Sequence, residues 1–438
     1  MMTSSIPSAA LSHLQDRSPW LWLNAGARAY PADVPELTRQ VAEARDRLRR
    51  SERLIRALFK LSDTGYPPIY SPLLPITGIE PAPTGPWFVK ADHALPIAGS
   101  IKARGGFHEV IAHAERLAIE NDLIEPGQDL LPLASSEARN LFAQHSVVVG
   151  STGNLGVSIG LFGAALGFRA VVHMSTDAKA WKKQRLRDHG ATVVEHAGDY
   201  GEAVARGREI ALGDPSAYFV DDEQSADLFS GYACGAYELA DQLAAAGVLV
   251  DSEHPLVVYL PCGVGGAPGG ITYGLKLIFG PQVHCFFAEP TDSPCMLVQM
   301  LSGPGKAVSV YDIALTNRTE LDGLAVGAAS MFVAPLLFDR LAGIYTIGDA
   351  EAFGWLRRLH SICGIDVEPS AATALAGPSR LTDVALGSVP KLSQATHVSW
   401  TTGGSLMPSH EFQAYLSCGE SRNAFIRRQH DIAPSAVA

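Results

Sequence analysis

Short apolar runs alternate with amphipathic stretches along most of this 438-residue chain. The runs are rich in Val and apolar at nearly every position, which predicts strands buried on both faces, as in parallel sheets. The stretches between them place apolar residues at helical spacing. The predicted strands lie at residues 87–92, 146–151, 168–174, 191–196, 217–222, 255–261, 283–290 and 396–402. This alternation predicts an α/β fold, and the number of strands favours two lobes.

The region before the first predicted strand has a different pattern. Residues 33–60 combine helical apolar spacing with many arginines, which predicts surface helices packed on the main body. The proline-rich passage 64–86 predicts turns and extended chain. We therefore expect an N-terminal helical extension at 1–64, a small α/β domain at 139–225, and a large domain built from 65–138 and 226–438.

Charge and composition exclude several function classes. The formal net charge of −11 argues against a nucleic-acid partner, which favours a basic face. The chain has no uncharged apolar run long enough to predict a membrane span, and its N-terminus lacks the pattern of a signal peptide. Six cysteines without a CxxC spacing indicate reduced thiols and a cytoplasmic protein. The absence of HExxH and of paired Cys/His spacing disfavours a catalytic transition metal.

Three predicted strands run into loops of glycine and small polar residues, the position where ligands bind in open α/β sheets. The first loop, GSTGNLG at 150–156, offers the side chains of Ser151, Thr152 and Asn154 and free backbone N–H groups at the start of a helix. This set suits a carboxylate or a phosphate. It also suits simple helix capping, because Ser, Thr and Asn are favoured capping residues.

The second loop, CGVGGAPGG at 262–270, has five glycines in nine residues. Such a backbone can approach a ligand closely and aim several N–H groups at one point. It is neither a P-loop nor a GxGxxG fingerprint, because GxxxxGK[ST] is absent and Pro268 occupies the place of the third glycine. A phosphate here would be held by neutral donors and the helix dipole. The third loop, WTTGGSLMP at 400–408, carries Thr401 and Thr402, either of which can present a hydroxyl.

One lysine, Lys102, lies where the helix predicted at 102–120 begins, in a chain with nine lysines and twenty-five arginines. An ammonium at the positive end of a helix is disfavoured by about 0.3–1 kcal/mol, which is too little to yield a free amine at neutral pH. Burial, or conversion to an imine, must supply the remaining decrease in the pKa of Lys102. The alternative is a surface lysine beside Arg104. The loops favour the imine, because an amine nucleophile, a neutral phosphate cradle and a hydroxyl match the needs of pyridoxal 5′-phosphate.

Seven motifs together resemble a known family. They occur in the order SIKARGG, GSTGNLG, PCGVGGAPGG, FAEPTDSPCM, DGLAVG, EPSA and TGG. This order resembles that of the bacterial D-serine dehydratases (D-serine ammonia-lyases), which are fold type II pyridoxal-phosphate enzymes of the tryptophan synthase β-like group. The resemblance extends from about residue 20 to about residue 416. It implies a two-lobed fold of twisted, mostly parallel sheets flanked by helices.

The resemblance implies cofactor-binding roles position by position. Lys102 matches the lysine that holds pyridoxal 5′-phosphate through an imine, and Asn154 matches the asparagine that hydrogen-bonds the 3′-oxygen of the cofactor. Thr402 matches the residue that faces the pyridine nitrogen, where a neutral hydroxyl favours prompt loss of a β-leaving group. The implied phosphate-binding residues are Gly263, Val264, Gly265 and Gly266.

The same comparison implies substrate and ion contacts. Ser151 and Thr152 match the loop that holds the substrate carboxylate, and Thr152 has an implied part in handling the Cα proton. Asp222 matches an acidic residue near the substrate. Glu289 lies where related enzymes place a ligand for a monovalent cation, K⁺ or Na⁺. For Asp222 and Glu289 a purely structural role is the alternative.

Two residues depart from the family pattern. Ala267 stands where the family usually has another glycine, and its methyl group would lie beside the phosphate. Ser405 replaces a glycine after TGG and would place a hydroxyl near the pyridine end of the cofactor. Neither change removes a required group, but the second bears on strict D-serine specificity.

The implied reaction is the conversion of D-serine to pyruvate and ammonia, with slower action on D-threonine. Another pyridoxal-phosphate lyase or a racemase of β-hydroxy amino acids is the alternative. The missing GxGxxG disfavours a nucleotide-binding oxidoreductase, and the presence of Lys102, Asn154 and Thr402 disfavours a non-catalytic amino-acid sensor. The family implies a monomer, whose N-terminal extension would cover a surface that relatives use for dimerisation.

Overall fold

Two separate β-sheets organise the chain in a computed structural model that describes residues 6–197, 200–381 and 389–418. In chain order the strands are β1 (Leu21–Leu23), β2 (Leu73–Pro75), β3 (Trp87–Lys90), β4 (Ser146–Gly150), β5 (Arg169–Ser175), β6 (Thr192–His196), β7 (Ala217–Val220), β8 (Leu256–Pro261), β9 (Val283–Pro290), β10 (Gly343–Ile347) and β11 (Thr396–Trp400).

Helices cover both sheets and supply most of the connections between strands. They are α1 (Ser8–Gln15), α2 (Pro35–Arg50), α3 (Glu52–Phe59), α4 (Lys102–Glu120), α5 (Ser136–Phe142), α6 (Asn154–Leu166), α7 (Ala180–Asp188), α8 (Tyr200–Leu212), α9 (Ala226–Ala245), α10 (Gly266–Phe279), α11 (Cys295–Ser302), α12 (Val333–Leu337), α13 (Asp349–Arg358), α14 (Pro369–Ala372) and α15 (Gly377–Arg380), followed by a helical segment at 409–418. None of the helices in the described ranges has the length and apolar content needed to cross a membrane.

The larger sheet has seven strands in the order β1-β10-β9-β8-β11-β3-β2. Its five inner strands are parallel, whereas β1 and β2 pair antiparallel at the two edges. The smaller sheet has four parallel strands in the order β6-β5-β4-β7. All strands of the smaller sheet come from residues 146–220, and the larger sheet takes its strands from both sides of that interval.

The apolar runs form strands because both faces of each sheet are covered. Every residue of β8 is buried, and its alternate side chains enter two different hydrophobic clusters. Val258 and Leu260 pack on one side of the sheet, and Val257 and Tyr259 pack on the other. This arrangement explains a continuous apolar run without the alternation of a half-exposed strand.

The eight predicted strands and the helix at 102–120 are confirmed, with ends that differ by one or two residues. Residues 33–60 contain two helices, α2 and α3, as expected. The region 1–64 also contains β1, which pairs with β10 and becomes an edge of the larger sheet. The helical extension at 1–64 stays a prediction. The domain boundaries at 64, 138 and 225 stay predictions.

Three buried charged side chains and one partly buried carboxylate meet where α4 begins. The Arg104 guanidinium donates to both carboxylate oxygens of Asp92, over 2.7 Å from Nε and 2.8 Å from Nη2. Glu238 of α9 accepts from Arg104 Nη2 at 2.8 Å and also from the ammonium of Lys90 in β3. Burial and the nearby guanidinium lower the pKa of Lys90 to about 8. The network therefore ties β3, α4 and α9 together through mutually compensating charges.

Removal of one member of this network should destabilise the protein strongly. Asp92→Ala leaves the buried Arg104 charge without its bidentate partner, and we expect the free energy of unfolding to fall by about 3–5 kcal/mol. Urea unfolding monitored by circular dichroism measures the change. Glu43→Ala is the control, because Glu43 pairs with Arg39 at the surface and its loss should cost about 1 kcal/mol or less. If the free energy of unfolding fell by the same small amount in both variants, the charge network would not stabilise the fold as predicted.

Candidate active site

The ends of strands from both sheets converge on one cavity. Lys102 follows β3, the loop 151–153 follows β4, Asp222 follows β7, the loop 262–265 follows β8, and Thr402 follows β11. Carboxyl ends of parallel strands meet at one edge of a sheet, which brings these loops together. The structure places ten of the predicted site residues in the lining of this cavity: Lys102, Ser151, Thr152, Asn154, Asp222, Gly263, Val264, Gly265, Gly266 and Thr402.

The Lys102 amine lies inside the cavity and not at the surface. Its side chain is 22% exposed, and Nζ lies 3.4 Å from each carboxylate oxygen of Asp222. Nζ also lies 5.4 Å from the centroid of the Tyr232 ring. The alternative of a surface lysine beside Arg104 is wrong, because Arg104 is itself buried in the charge network at the start of α4. Lys102 is the one Lys, Arg or His among the described lining residues.

The glycine loop after β8 presents backbone N–H groups at the start of a 14-residue helix. Gly265 adopts a φ of +112°, and a Cβ there would lie 2.4 Å from Met296 Cε. Glycine is therefore required by both backbone conformation and space. The first-turn N–H groups of α10 have no intrahelical partner and carry the positive end of the helix dipole. Such a loop can bind a phosphate without a cationic side chain.

The GSTGNLG loop keeps its polar side chains available for a ligand. The N-cap of α6 is Gly153, which makes no side-chain capping hydrogen bond. Ser151 Oγ accepts only a 3.3 Å bond from the Gly153 N–H, and the Asn154 amide turns toward Glu368. The helix-capping alternative for this loop is therefore wrong.

The two threonines of the WTTGG loop have different environments. Thr401 is fully buried, and its hydroxyl donates to the Lys90 carbonyl at 3.1 Å. Thr402 lines the cavity, and its carbonyl accepts a 2.8 Å bond from the Ile101 N–H, next to Lys102. The end of β11 is thereby fixed beside the start of α4.

Sequence reasoning missed three polar residues of the cavity, namely Asp322, Glu368 and Ser370. They belong to DGLAVG and EPSA, two motifs that contributed only to the resemblance. Glu368 accepts from Asn154 Nδ2 at 3.0 Å through Oε1 and 3.2 Å through Oε2. The two motifs were the available signal in the sequence. The contact between Glu368 and Asn154 was not, because only folding brings residues 154 and 368 together.

Glu289 lies outside this cavity and is completely buried. Its two carboxylate oxygens accept from the backbone N–H groups of Met296 and Leu297, at 2.7 and 2.8 Å, in the first turn of α11. Burial raises the pKa of Glu289 to about 8. Within the described residues, His, Cys, Asp and Glu side chains form no cluster of three or more that could hold a metal ion. The role of Glu289 as a cation ligand stays a prediction.

The two departures from the family pattern lie in different places. Ala267 lines the cavity beside the glycine loop, as expected. Ser405 is exposed, its backbone N–H donates to the His93 carbonyl at 3.2 Å, and it is not among the described residues that line the cavity. The expected hydroxyl near the pyridine end is therefore absent from the described lining of this cavity.

Comparison with known proteins places this geometry in a family. A model described as "Pyridoxal-phosphate dependent enzyme" matches residues 67–391. The chain belongs to this family. A probable D-serine dehydratase of Cupriavidus pinatubonensis is 54% identical over 431 residues, which cover 95% of this chain and 97% of the relative. A second, from Burkholderia lata, is 54% identical over 424 residues, covering 94% and 95% of the two chains.

Solved structures of pyridoxal-phosphate enzymes share the fold. Diaminopropionate ammonia lyase from Escherichia coli, in complex with D-serine, aligns with a TM-score of 0.70 at 19% identity, over 91% of this chain and 97% of that chain. Threonine deaminase isoform 2 from Solanum lycopersicum aligns with a TM-score of 0.64 at 16% identity, over 96% and 95%. The two mostly parallel sheets with flanking helices thus form the fold type II arrangement.

The donor set of the cavity fits pyridoxal phosphate. One amine is available for an imine, backbone N–H groups at a helix start are available for the phosphate, and an amide and a hydroxyl are available for the ring. The chain also approaches these groups closely at Gly403, where a Cβ would lie 2.4 Å from Glu368 Oε1 and 2.8 Å from Asn154 Nδ2. Lys102, the loop 263–266, Asn154 and Thr402 are the residues that would hold the cofactor.

Substitution of Gly403 should weaken cofactor binding. Gly403→Ala places a methyl group against Glu368 and Asn154, so both side chains must move away from the ring-binding position. We expect at least about tenfold weaker binding of pyridoxal phosphate, which corresponds to about 1.4 kcal/mol. Absorbance titration of the apoprotein measures the affinity. Gly305→Ala is the control, since its Cβ would meet nothing within 4 Å. Unchanged affinity in both variants would contradict the prediction.

Proposed function

We propose that this protein is a D-serine ammonia-lyase that converts D-serine to pyruvate and ammonia. The observation that carries the proposal is the Lys102 amine, placed 3.4 Å from the Asp222 carboxylate in a cavity that also holds the glycine loop. Two relatives that are 54% identical over nearly the full chain carry the name D-serine dehydratase. One water is lost and one is taken up, so the net products are pyruvate and ammonia.

Each residue has a role set by its chemistry. When bound, pyridoxal phosphate supplies an electron sink that acidifies the Cα–H bond of the amino acid and allows the β-hydroxyl to leave. Lys102 holds the cofactor, and its released amine can accept or return a proton at the reacting carbon. The Asp222 carboxylate lies 3.4 Å from that amine and can accept a hydrogen bond from it.

The loop after β4 binds and orients the substrate. Ser151, Thr152 and the free N–H groups at the start of α6 suit the carboxylate of an amino acid. Thr152 lines the same cavity as Lys102, which supports a part in handling the Cα proton. A carboxylate fixed at this loop directs the Cα–H bond of only one enantiomer toward a given proton acceptor. The names of the relatives support the D form as that enantiomer.

We also propose four finer properties that rest on the resemblance to D-serine dehydratases. D-threonine is turned over more slowly than D-serine, because its additional methyl group must fit beside the β-hydroxyl. Glu289 contributes to a monovalent-cation site for K⁺ or Na⁺. The protein lies in the cytoplasm and is a monomer. The packing of α2 on α4 and α9 supports the monomer, because the N-terminal extension would then cover a surface that relatives use for dimerisation. Sedimentation velocity tests the monomer, since a stable dimer contradicts it.

The activity is tested by pyruvate release from D-serine, L-serine and D-threonine by the purified, cofactor-loaded protein. We expect a strong preference for D-serine. Lys102→Ala should lower the rate by at least about 100-fold, the lower bound typical of a residue that moves a proton in the rate-limiting step. Lys391→Ala is the control, because Lys391 pairs with Glu253 at the surface, and its rate should match that of the unmodified protein.

Three outcomes would contradict the proposal. No pyruvate from any substrate, in spite of bound cofactor, would leave the family assignment intact and remove the D-serine reaction. A faster reaction with L-serine would remove the assigned stereochemistry. Activity that survives in Lys102→Ala would remove the assigned role of Lys102.

A further inference from the structure

A second buried lysine lies just behind the cavity. Lys182 of α7 is only 3% exposed, and its Nζ lies 3.5 Å from Asp322 Oδ2 in the turn Asp322–Leu324. Asn154 and Glu368 line the same cleft. Burial of an ammonium is costly unless it is paired, so the position of Lys182 requires an explanation. Asp322 and Glu368 supply the compensating charge.

The Glu368 carboxylate links this lysine to the cavity. Both of its oxygens accept from Asn154 Nδ2, and Gly403 leaves the space that the carboxylate occupies. The charged groups that face it are Lys182 from α7 and Asp322 from the neighbouring turn. Burial raises the pKa of Glu368, the Lys182 ammonium opposes that rise, and the Asp322 carboxylate adds to it. The pKa of Glu368 is therefore raised overall, and the Lys182 ammonium is the neighbouring charge that limits the rise.

The protonation of Glu368 determines which way the Asn154 amide can face. An ionised carboxylate only accepts hydrogen bonds, so it holds the NH₂ group of Asn154 and leaves the second N–H free to donate elsewhere. A protonated carboxyl can instead donate to Oδ1, which permits the amide to rotate by half a turn. Only the first arrangement fixes the direction of the remaining Asn154 N–H.

We propose that Lys182 and Glu368 are positioning residues for the cofactor: the Lys182 ammonium keeps the Glu368 carboxylate ionised, and that carboxylate holds the Asn154 amide with one N–H directed at the 3′-oxygen of bound pyridoxal phosphate. This inference rests on the cofactor placement in the proposed function. It adds two residues that act through Asn154. Because Lys182 comes from a helix of the smaller sheet, the orientation of Asn154 also depends on contact between the two sheets.

The test uses the visible absorption band of the cofactor bound to Lys102, recorded against pH without substrate. The energy of this band depends on hydrogen bonding at the 3′-oxygen, so it reports on Asn154. In Lys182→Met the pKa of Glu368 rises, and the spectral change should occur at a pH at least about one unit higher, as expected for loss of a neighbouring opposite charge. Glu368→Gln should bind the cofactor and lack this change over the same pH range.

The neighbouring lysine provides a matched control. Lys183 lies on the same helix and is 6% exposed, but its Nζ donates to Glu195 at 2.6 Å and to the Thr176 carbonyl at 2.8 Å, outside the cleft behind the cavity. Lys183→Met should titrate like the unmodified protein. Asp322→Asn should move the midpoint to lower pH, and the double variant Lys182→Met with Asp322→Asn should move it back from the high value of the single lysine variant.

Three results would overturn the inference. The first is an unchanged midpoint in Lys182→Met, and the second is the same shift in Lys183→Met. The third is a spectral change that persists in Glu368→Gln, because it would then belong to another group. If Lys182→Met fails to fold, Asp322→Asn and Glu368→Gln still decide the question. Pyruvate release is measured separately, so a protein that titrates as expected but does not consume D-serine removes the proposed function alone.

Discussion

The compensation of buried charge is the constraint on which the rest of this structure depends. Arg104, Asp92 and Lys90 are removed from water, Glu238 is partly buried beside them, and each buried charge is tolerated only because its partners are in place. Arg104 lies two residues after Lys102 in the first turn of α4, so the same bonds that neutralise Arg104 also fix the direction of the helix that presents Lys102. Hydrophobic packing alone would hold α4 against the sheet, but it is non-directional and would leave that helix free to slide.

Much of the fold and of the cavity follows from local sequence signals. The Val-rich runs predict buried parallel strands, and the loops after those strands must meet at the carboxyl edge of a sheet. Lys102, Asn154, Gly265 and Thr402 therefore lie together for a topological reason, which makes them visible in a single sequence. The strands that escaped prediction are β1 and β2, with three residues each, and β10, with five. Runs of three residues carry too little periodicity to be separated from loops. Length does not explain the omission of β10, because β4, β6 and β11 also have five residues and were predicted.

The polar residues that escaped prediction depend on long-range contacts. Glu368 has meaning only beside Asn154, which is 214 positions earlier in the chain. Arg104 entered the sequence analysis only through the alternative in which Lys102 is a surface lysine beside it, because nothing near Arg104 in sequence indicates that Glu238 will pair with it. Lys182 lies in a segment of mixed lysine and arginine that is typical of an exposed helix, yet Lys182 is buried and Lys179 is only partly exposed. Sequence patterns identify the ligand-binding groups at strand ends. They do not identify the distant partner that compensates a buried charge.

The same constraint acts across the gap between the two sheets. The α7 helix reaches loops of the larger sheet through three polar contacts: Lys182 to Asp322 at 3.5 Å, Arg185 to the Ile97 carbonyl at 3.1 Å, and Lys179 to Glu411 at 3.9 Å. These differ in energetic importance. Lys179 is partly exposed and its pair is worth little, whereas the buried Lys182 has a strong requirement for a counter-charge. A small shift of the smaller sheet would cost little at Lys179 but would separate Lys182 from Asp322.

The contact between Lys182 and Asp322 also affects the cavity. Asp322 and Glu368 line the cavity, so the pair that holds the two sheets together is the pair that sets the charge beside Asn154. The orientation of Asn154 and the relative position of the two sheets therefore depend on the same buried ion pair.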